Sequence, residues 1–231
     1  MPHDRELIAI TSDLDWAPDQ VLDFMLDPIG KLGIKATIFC THRIHIGGGH
    51  EIGLHPNYTK NLERETLVNL MRSVPRCKGI RSHGLFIHSR LFQLYNELGI
   101  EYDSSYLIPM QIVEPFNHPL GIVEIPMFFE DDAYFCDHSP SFNVSDLCLG
   151  KPGLKVFNFH PIHVFINTDT PRRYAKAKNF YQNPSHLIRY RKNGRGTRTL
   201  FLDLLEYIRK RGVETVTLGE VNRRCRIVGR S

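Results

Sequence analysis

The feature that most constrains this chain is the repeated pairing of a short apolar run with an ionisable residue at its carboxyl end. Runs rich in Ile, Val, Phe and Tyr alternate with amphipathic stretches, the pattern of strand–helix units around a mostly parallel sheet. The spacing predicts strands at Leu7–Ser12, Ile34–Cys40, Glu51–His55, Gly79–Ser82, Glu101–Ser104, Ile122–Pro126, Lys155–His160 and Glu214–Leu218. Helices are expected at Pro18–Leu32, Leu62–Ser73, Ser89–Leu98 and Thr199–Arg211, the first opened by Pro18 and closed by Gly33, the last stopped by Gly212. Eight strands against four clear helices imply an α/β fold: a distorted (β/α) barrel of seven or eight strands in which loops replace some crossovers. Tyr106–Leu120 and Thr170–Thr197 read as long irregular excursions, and loops of that length in a compact domain are often functional.

Chemistry in parallel barrels collects at the carboxyl ends of the strands. Here those ends carry Asp13 and Asp15, then His55, Arg81 with His83, Asp103, and finally His160 with His163. The segment Thr11–Trp16 places two carboxylates two positions apart where an apolar strand finishes. They could divide metal binding and proton transfer between them, or cap the helix that follows. A glycine-rich entry, Gly47-Gly48-Gly49, leads into a strand ending at His55, and neutral imidazole with a carboxylate oxygen suits a zinc-like divalent ion. With twelve histidines in the chain, a single one is more often structural or merely exposed, and His3, His42, His45, His88, His118, His138 and His186 are read that way. Glu130-Asp131-Asp132 could meet a polar ligand or form a solvated acidic loop.

The chain has 231 residues, 42% hydrophobic and 23% charged, enough for one sizeable core and short of the usual two-domain range, so a single domain over residues 1–231 is expected. No apolar run approaches the ~20 residues of a membrane-spanning helix, and the start Met-Pro-His-Asp-Arg lacks the apolar stretch of a secretory signal. The expectation is a soluble, cytoplasmic protein. Cys40, Cys77, Cys136, Cys148 and Cys225 are odd in number and never spaced Cys-x-x-Cys, which argues against a disulfide framework or a cysteine zinc site. Charge is asymmetric: residues 1–170 carry 13 Lys+Arg against 21 Asp+Glu, residues 171–231 carry 16 against 4, and the net is +4. That basic segment could attract phosphates or be a solvated face. Nucleic acid is not an expected partner, because Arg189–Arg198 has only charge and Tyr190 to recommend it and no nucleic-acid module accompanies it.

In motif order, most of residues 7–168 resembles the NodB-type polysaccharide deacetylases, carbohydrate esterase family 4, and more closely their WbmS-like branch. Thr11-Ser12-Asp13-Leu14-Asp15 is similar to the family's first motif, which implies Asp13 as catalytic base and Asp15 as metal ligand. His50-Glu51-Ile52-Gly53-Leu54-His55 resembles the second, implying His55 as a ligand, and Gly79-Ile80-Arg81-Ser82-His83 resembles the third, implying that Arg81 orients the base. Asn158-Phe159-His160-Pro161 resembles the last, which carries the histidine acid, with His163 as its competitor. The family's second motif usually adds a metal-binding histidine four residues after the first, and that position is Thr59. His83 is the replacement candidate, with Asn57 or water as the fallback.

The resemblance implies a metal-dependent hydrolase, zinc being the expected ion, that removes an N-acetyl group from a sugar during surface-polysaccharide biosynthesis. The alternatives are hydrolysis of another C–N bond (formamide, ureide or imide) and a barrel that binds carbohydrate without catalysis. Trp16, Glu130, Asp131 and His163 are the expected substrate contacts, and Trp16, Tyr106, Phe128, Phe129, Tyr134 and Phe135 form either a stacking wall for a pyranose or plain core. A nucleotide-linked sugar is the further expectation, its phosphates gripped by Arg172–Arg198 and in particular by Arg189, Arg191, Arg195 and Arg198. A homo-oligomer is compatible with all of this.

Overall fold

The first apolar run forms β1 (Glu6–Asp13), in which every residue from Leu7 onward is buried, as a central strand covered on both faces requires. The computed structural model describes residues 4–136 and 140–228. The other strands are β2 (Thr37–Cys40), β3 (Glu51–Leu54), β4 (Gly79–Ile80), β5 (Tyr102–Asp103), β6 (Phe116–Asn117), β7 (Val123–Glu124), β8 (Phe129–Glu130), β9 (Gly153–Asn158) and β10 (Glu214–Thr215). The α-helices are α1 (Asp19–Lys31), α2 (Glu63–Ser73), α3 (Ser89–Glu97), α4 (Asp131–Cys136), α5 (Pro161–Ile166), α6 (Pro171–Ala177), α7 (Pro184–Leu187), α8 (Thr197–Arg211) and α9 (Leu218–Val228).

The sheet runs β6-β7-β5-β4-β3-β2-β1-β9-β8, and among the described pairs only β6 with β7 is antiparallel. β10 and β2 share one edge of β1: β10 lies opposite Leu7 and Ile8, β2 opposite Thr11 to Asp13. The sheet curls round because one stretch changes partners. Val123 and Ile125 donate to carbonyls of Glu101 and Asp103, and a few residues later Phe128 donates to Val156 of β9. The expected distorted (β/α) barrel is the result.

The period-two alternation of β1 divides the core. Leu7 and Ala9 face an inner cluster with Phe39, Tyr102, Val123, Ile125 and Val156. Ile8 and Ile10 face outward, against Val21, Met25 and Ile29 on α1 and Leu200, Leu204 and Ile208 on α8. The strand expected at Glu214–Leu218 is shorter, since Leu218 already opens α9. Thr217 and Glu220 cap that helix reciprocally, each backbone N–H bonding the other's side chain (2.8 and 3.3 Å). The excursion expected over Thr170–Thr197 contains α6 and α7. The five cysteines are free, and no helix among the described residues is long and apolar enough to cross a membrane.

Asp103 and Glu124 stand opposite each other on β5 and β7. Their neighbours Tyr102 and Val123 face the inner cluster, so alternation turns both carboxyls outward, into full burial. Asp103 accepts from the Ser105 hydroxyl (2.7 Å) and N–H (3.1 Å), whereas the Glu124 oxygens have no hydrogen-bond partner other than Asp103 among the described residues. Burial, reinforced by Asp103, pushes the Glu124 carboxyl up to about 9, and burial also raises Asp103. The pair shares a proton at neutral pH. Because the folded values lie above the unfolded ones, this contribution to stability is complete below about pH 4 and is lost as pH rises through about 9. Glu124→Gln, which keeps a hydrogen bond without a titrating proton, is expected to flatten the fall in Tm between pH 6 and 10 by several degrees, at about 2–4 °C per kcal/mol for a chain this size. Identical pH slopes for the two proteins, measured by thermal melts, would contradict the shared proton.

Candidate active site

The site is organised by Arg81, which follows β4 and is fully buried. Its Nη1 donates to Asp13 Oδ1 (3.0 Å), Thr11 Oγ1 (2.9 Å) and Asn158 Oδ1 (2.7 Å). Nε donates to the Ser104 carbonyl (2.8 Å) and Nη2 to the Ser104 hydroxyl (2.9 Å), while the guanidinium lies 4.3 Å from the centre of the Phe39 ring. Asn158 Nδ2 donates to the second oxygen of Asp13 (2.9 Å). Both carboxylate oxygens of Asp13 are therefore fixed, by groups from β4 and β9.

Beyond Asp13 the chain turns sharply: Asp15 and Trp16 adopt φ of 45° and 59°, left-handed values that are uncommon and costly for residues other than glycine. The turn aims Asp15 at His55 and His83. Asp15 Oδ1 lies 3.1 Å from His55 Nε2 and 3.0 Å from His83 Nδ1, and the two nitrogens are 3.3 Å apart. The other ring nitrogen of His55, Nδ1, is 2.7 Å from the Arg81 carbonyl, which can only accept; Nδ1 carries the proton and Nε2 presents a lone pair. Burial raises the Asp15 carboxyl, but bonds to His55 and His83 and the charge of His160 outweigh it and hold the group well below the usual range. The bond to Asp15 raises His83.

This set fits a zinc-like ion. Two imidazole nitrogens and one carboxylate oxygen are its usual donors, and ligands about 2.0–2.1 Å from a tetrahedral centre lie roughly 3.4 Å apart, close to the separations seen here. The side chains of His55, Asp15 and His83 are 2%, 15% and 33% exposed, so the cluster opens to solvent on one side. A second group of potential ligands, Asp131, Asp132, His160 and His163, pairs within itself, Asp131 with His160 and Asp132 with His163. Asp131 opens α4, and its two oxygens take the His160 ring Nδ1 (2.6 Å) and the His160 backbone N–H (2.9 Å). Nε2 of His160 is left 3.7 Å from Asp15 Oδ2. Burial would lower His160, but the charges of Asp132 and Asp131 and the Asp131 bond outweigh it and raise the ring well above the ordinary histidine value, favouring its charged form.

Asp13, Asp15, His55, Arg81, His83 and His160 thus converge, as does Glu130, whose carboxyl belongs with Asp13 and His160 and is pushed up to about 7, chiefly by burial. Trp16 stands at the mouth, 41% exposed and edge-on to His83 at 5.2 Å. Asn57 and Thr59 are exposed. Other expectations are corrected. Asp131 is buried and bonds His160 through both carboxylate oxygens, so it orients that ring. His163 lies one helical turn beyond His160, buried, with Nδ1 on Thr168 Oγ1 (2.9 Å) and Asp132 against Nε2 (2.5 Å), which removes it both as a substrate contact and as rival to His160. Phe128, Phe129 and Phe135 are core.

Three of the four arginines expected to grip phosphates are engaged on the scaffold instead. Arg191 donates to the Phe165 carbonyl (2.7 Å) and stacks on Phe24 and Phe165; Arg198 lies over Phe24; Arg195 bonds Asp203 and the Phe142 carbonyl. These arginines fasten the excursion to α1, α5 and α8. From the same excursion come site residues that sequence reasoning missed: Tyr174, Lys178, Tyr181 and Gln182, which with Asp15, Trp16 and His83 line a cavity of about 260 Å³. Only the length of the excursion hinted at them. His42, His118 and His186 make local contacts, with Thr41, Phe92 and Phe180, as expected of structural histidines; His3 and His138 lie outside the described residues.

Barrel and site together define a deacetylase of the NodB type. The model of the WbmS-like polysaccharide deacetylase family matches residues 10–178, and the chain belongs to that family. A crystal structure from Bordetella bronchiseptica, described as a polysaccharide deacetylase involved in O-antigen biosynthesis, is 31% identical, with 87% of this chain covering 90% of that one at a TM-score of 0.76. A polysaccharide deacetylase structure from Mycobacterium smegmatis (14% identity, 99% and 93% coverage, TM-score 0.62) and the peptidoglycan deacetylase PdaC of Bacillus subtilis (13%, 95% and 91%, TM-score 0.51) share the fold. No curated protein matches the chain significantly.

Removing Arg81 leaves Asp13 charged and uncompensated in the interior. Arg81→Met is expected to cost about 3–5 kcal/mol in urea unfolding, and Arg81→Met/Asp13→Leu to recover part of it. A single variant as stable as the parent would show that the pair does not hold the barrel.

Proposed function

We propose that this protein is a metal-dependent hydrolase that removes the acetyl group from an acetamido sugar of a surface polysaccharide. One observation carries the reading: Asp15, His55 and His83 converge beside a carboxylate locked by arginine on one side and a histidine locked by aspartate on the other. The Bordetella relative's description as an O-antigen protein supports the substrate class.

Asp15, His55 and His83 would hold the ion, which supplies polarisation of the acyl carbonyl and activation of water near neutral pH. Asp13 takes the proton of the attacking water. Arg81 and Asn158 keep its carboxylate in one orientation while it does so. An amine leaves poorly unless protonated, and His160, held protonated by Asp131 and Asp132, gives its proton to the departing nitrogen. Asp131 grips both the ring and the backbone of His160, so the acid does not drift towards the base. Glu130, whose carboxyl lies within 4.8 Å of Asp13 and His160, would meet the substrate's polar groups.

Acetate release from N-acetylated sugars by zinc-loaded protein, with formate release from N-formyl analogues as control, tests the activity. Asp15→Ala, His55→Ala and His83→Ala are expected to lose bound metal and activity together. Asp13→Asn and His160→Ala should keep the metal and lose about 100- to 10,000-fold in rate. Full metal content in all three alanine variants, or near-normal turnover by Asp13→Asn, would overturn these assignments.

A further inference from the structure

We propose that Tyr181 is a catalytic hydrogen-bond donor of this site, its phenolic O–H binding the acyl oxygen of the substrate as that oxygen gains negative charge. The inference rests on the deacetylase reading above. Tyr181 lies in the excursion between α6 and α7, past the residues 10–178 that match the family.

The hydroxyl of Tyr181 is out of contact with solvent and has no hydrogen-bond partner among the described residues. Other buried phenols do have one: Tyr58 donates to Tyr95 (3.2 Å) and Tyr102 to Glu51 (2.9 Å). A buried polar group left unpaired costs about 1–3 kcal/mol. The cost is explained if the group is reserved for a ligand. Tyr181 lines the cavity that Asp15 and His83 also line. Of the surrounding charges Asp15 acts on it most strongly, and no hydrogen bond joins the two.

The residues on both sides of Tyr181 are anchored. Phe180 is stacked between His186 (5.1 Å, 10°) and Tyr190 (5.6 Å, 25°). Gln182 Nε2 donates to the Trp16 carbonyl (2.8 Å), tying the excursion to the same strained turn that presents Asp15. Preorganised donors of this kind stabilise developing charge because nothing must reorganise when the charge forms.

In the step, the water oxygen bonds to the acyl carbon and its proton passes to Asp13. The carbonyl π pair moves to the acyl oxygen, where the Tyr181 O–H meets it. When the C–N bond breaks, that pair re-forms the carbonyl and His160 delivers its proton to nitrogen. Tyr181 keeps its own proton throughout, as a phenol raised by burial well above its ordinary value should.

Tyr181→Phe deletes only the unpartnered oxygen, so zinc content should be unchanged and Tm equal or higher. The expected kinetic result is a kcat lowered 10- to 100-fold with KM within about threefold, the signature of an interaction made chiefly in the transition state. A second arm needs no turnover: acetate binding to zinc-loaded protein, measured by calorimetry, should weaken at least fivefold in Tyr181→Phe. Unchanged kcat, a loss confined to KM, loss of zinc, or equal acetate affinity overturns the proposal. If the parent protein releases no acetate from any N-acetylated sugar, the functional reading fails on its own, and acetate affinity alone decides the role of Tyr181.

Discussion

The buried guanidinium of Arg81 is the interaction on which the rest depends. Stripping a cation of water costs several kcal/mol, and only a complete set of acceptors offsets it. The barrel provides them from four residues at three places: Asp13 and Thr11 on β1, Asn158 on β9, and the carbonyl and hydroxyl of Ser104 beyond β5. Arg81 itself follows β4, so one side chain binds together strands distant in sequence. The same bonds fix Asp13. The interaction that makes the interior tolerable thus also orients the proton acceptor. The carbonyl of Arg81 adds a third task, since it selects the tautomer in which His55 directs a lone pair at Asp15.

Acid and base are kept apart by building each as a separate ion pair. Asp13 is matched to Arg81, His160 to Asp131, and the Asp15–His55–His83 cluster lies next to both. Each pairing draws on different elements, so neither can relax without moving a strand end or the start of α4. The left-handed turn at Asp15 and Trp16 belongs to the same logic. Strain of this kind persists only where surroundings hold it, and here Thr41 accepts from the Trp16 N–H (3.2 Å) while Gln182 reaches its carbonyl.

The basic carboxyl-terminal part of the chain shows why charge counts mislead. Arg191, Arg195 and Arg198 are spent on carbonyls, aromatic faces and Asp203, holding the excursion against the barrel. What the excursion contributes to the cavity is two phenols, an amide and one lysine.

The period-two and helical patterns were enough to place the central strands and the four long helices, because burial on one side of an element imposes its spacing on the residues themselves. The ionisable strand ends were legible for the same reason, and they named Asp13, Asp15, His55, Arg81, His83 and His160. Even α9 carried a readable mark in Thr217-x-x-Glu220, although the last strand was expected to extend to its first residue, Leu218. Asp131 as the partner of His160, the burial of His163, the use of the arginines as struts and the approach of Tyr181 to Asp15 had no such mark. Each depends on segments distant in sequence meeting at a set distance, 29 residues apart for Asp131 and His160. Local periodicity records which face of an element is buried and says nothing about which distant polar group it meets there; only the curled sheet, in which a buried charge must find its acceptors, decided that.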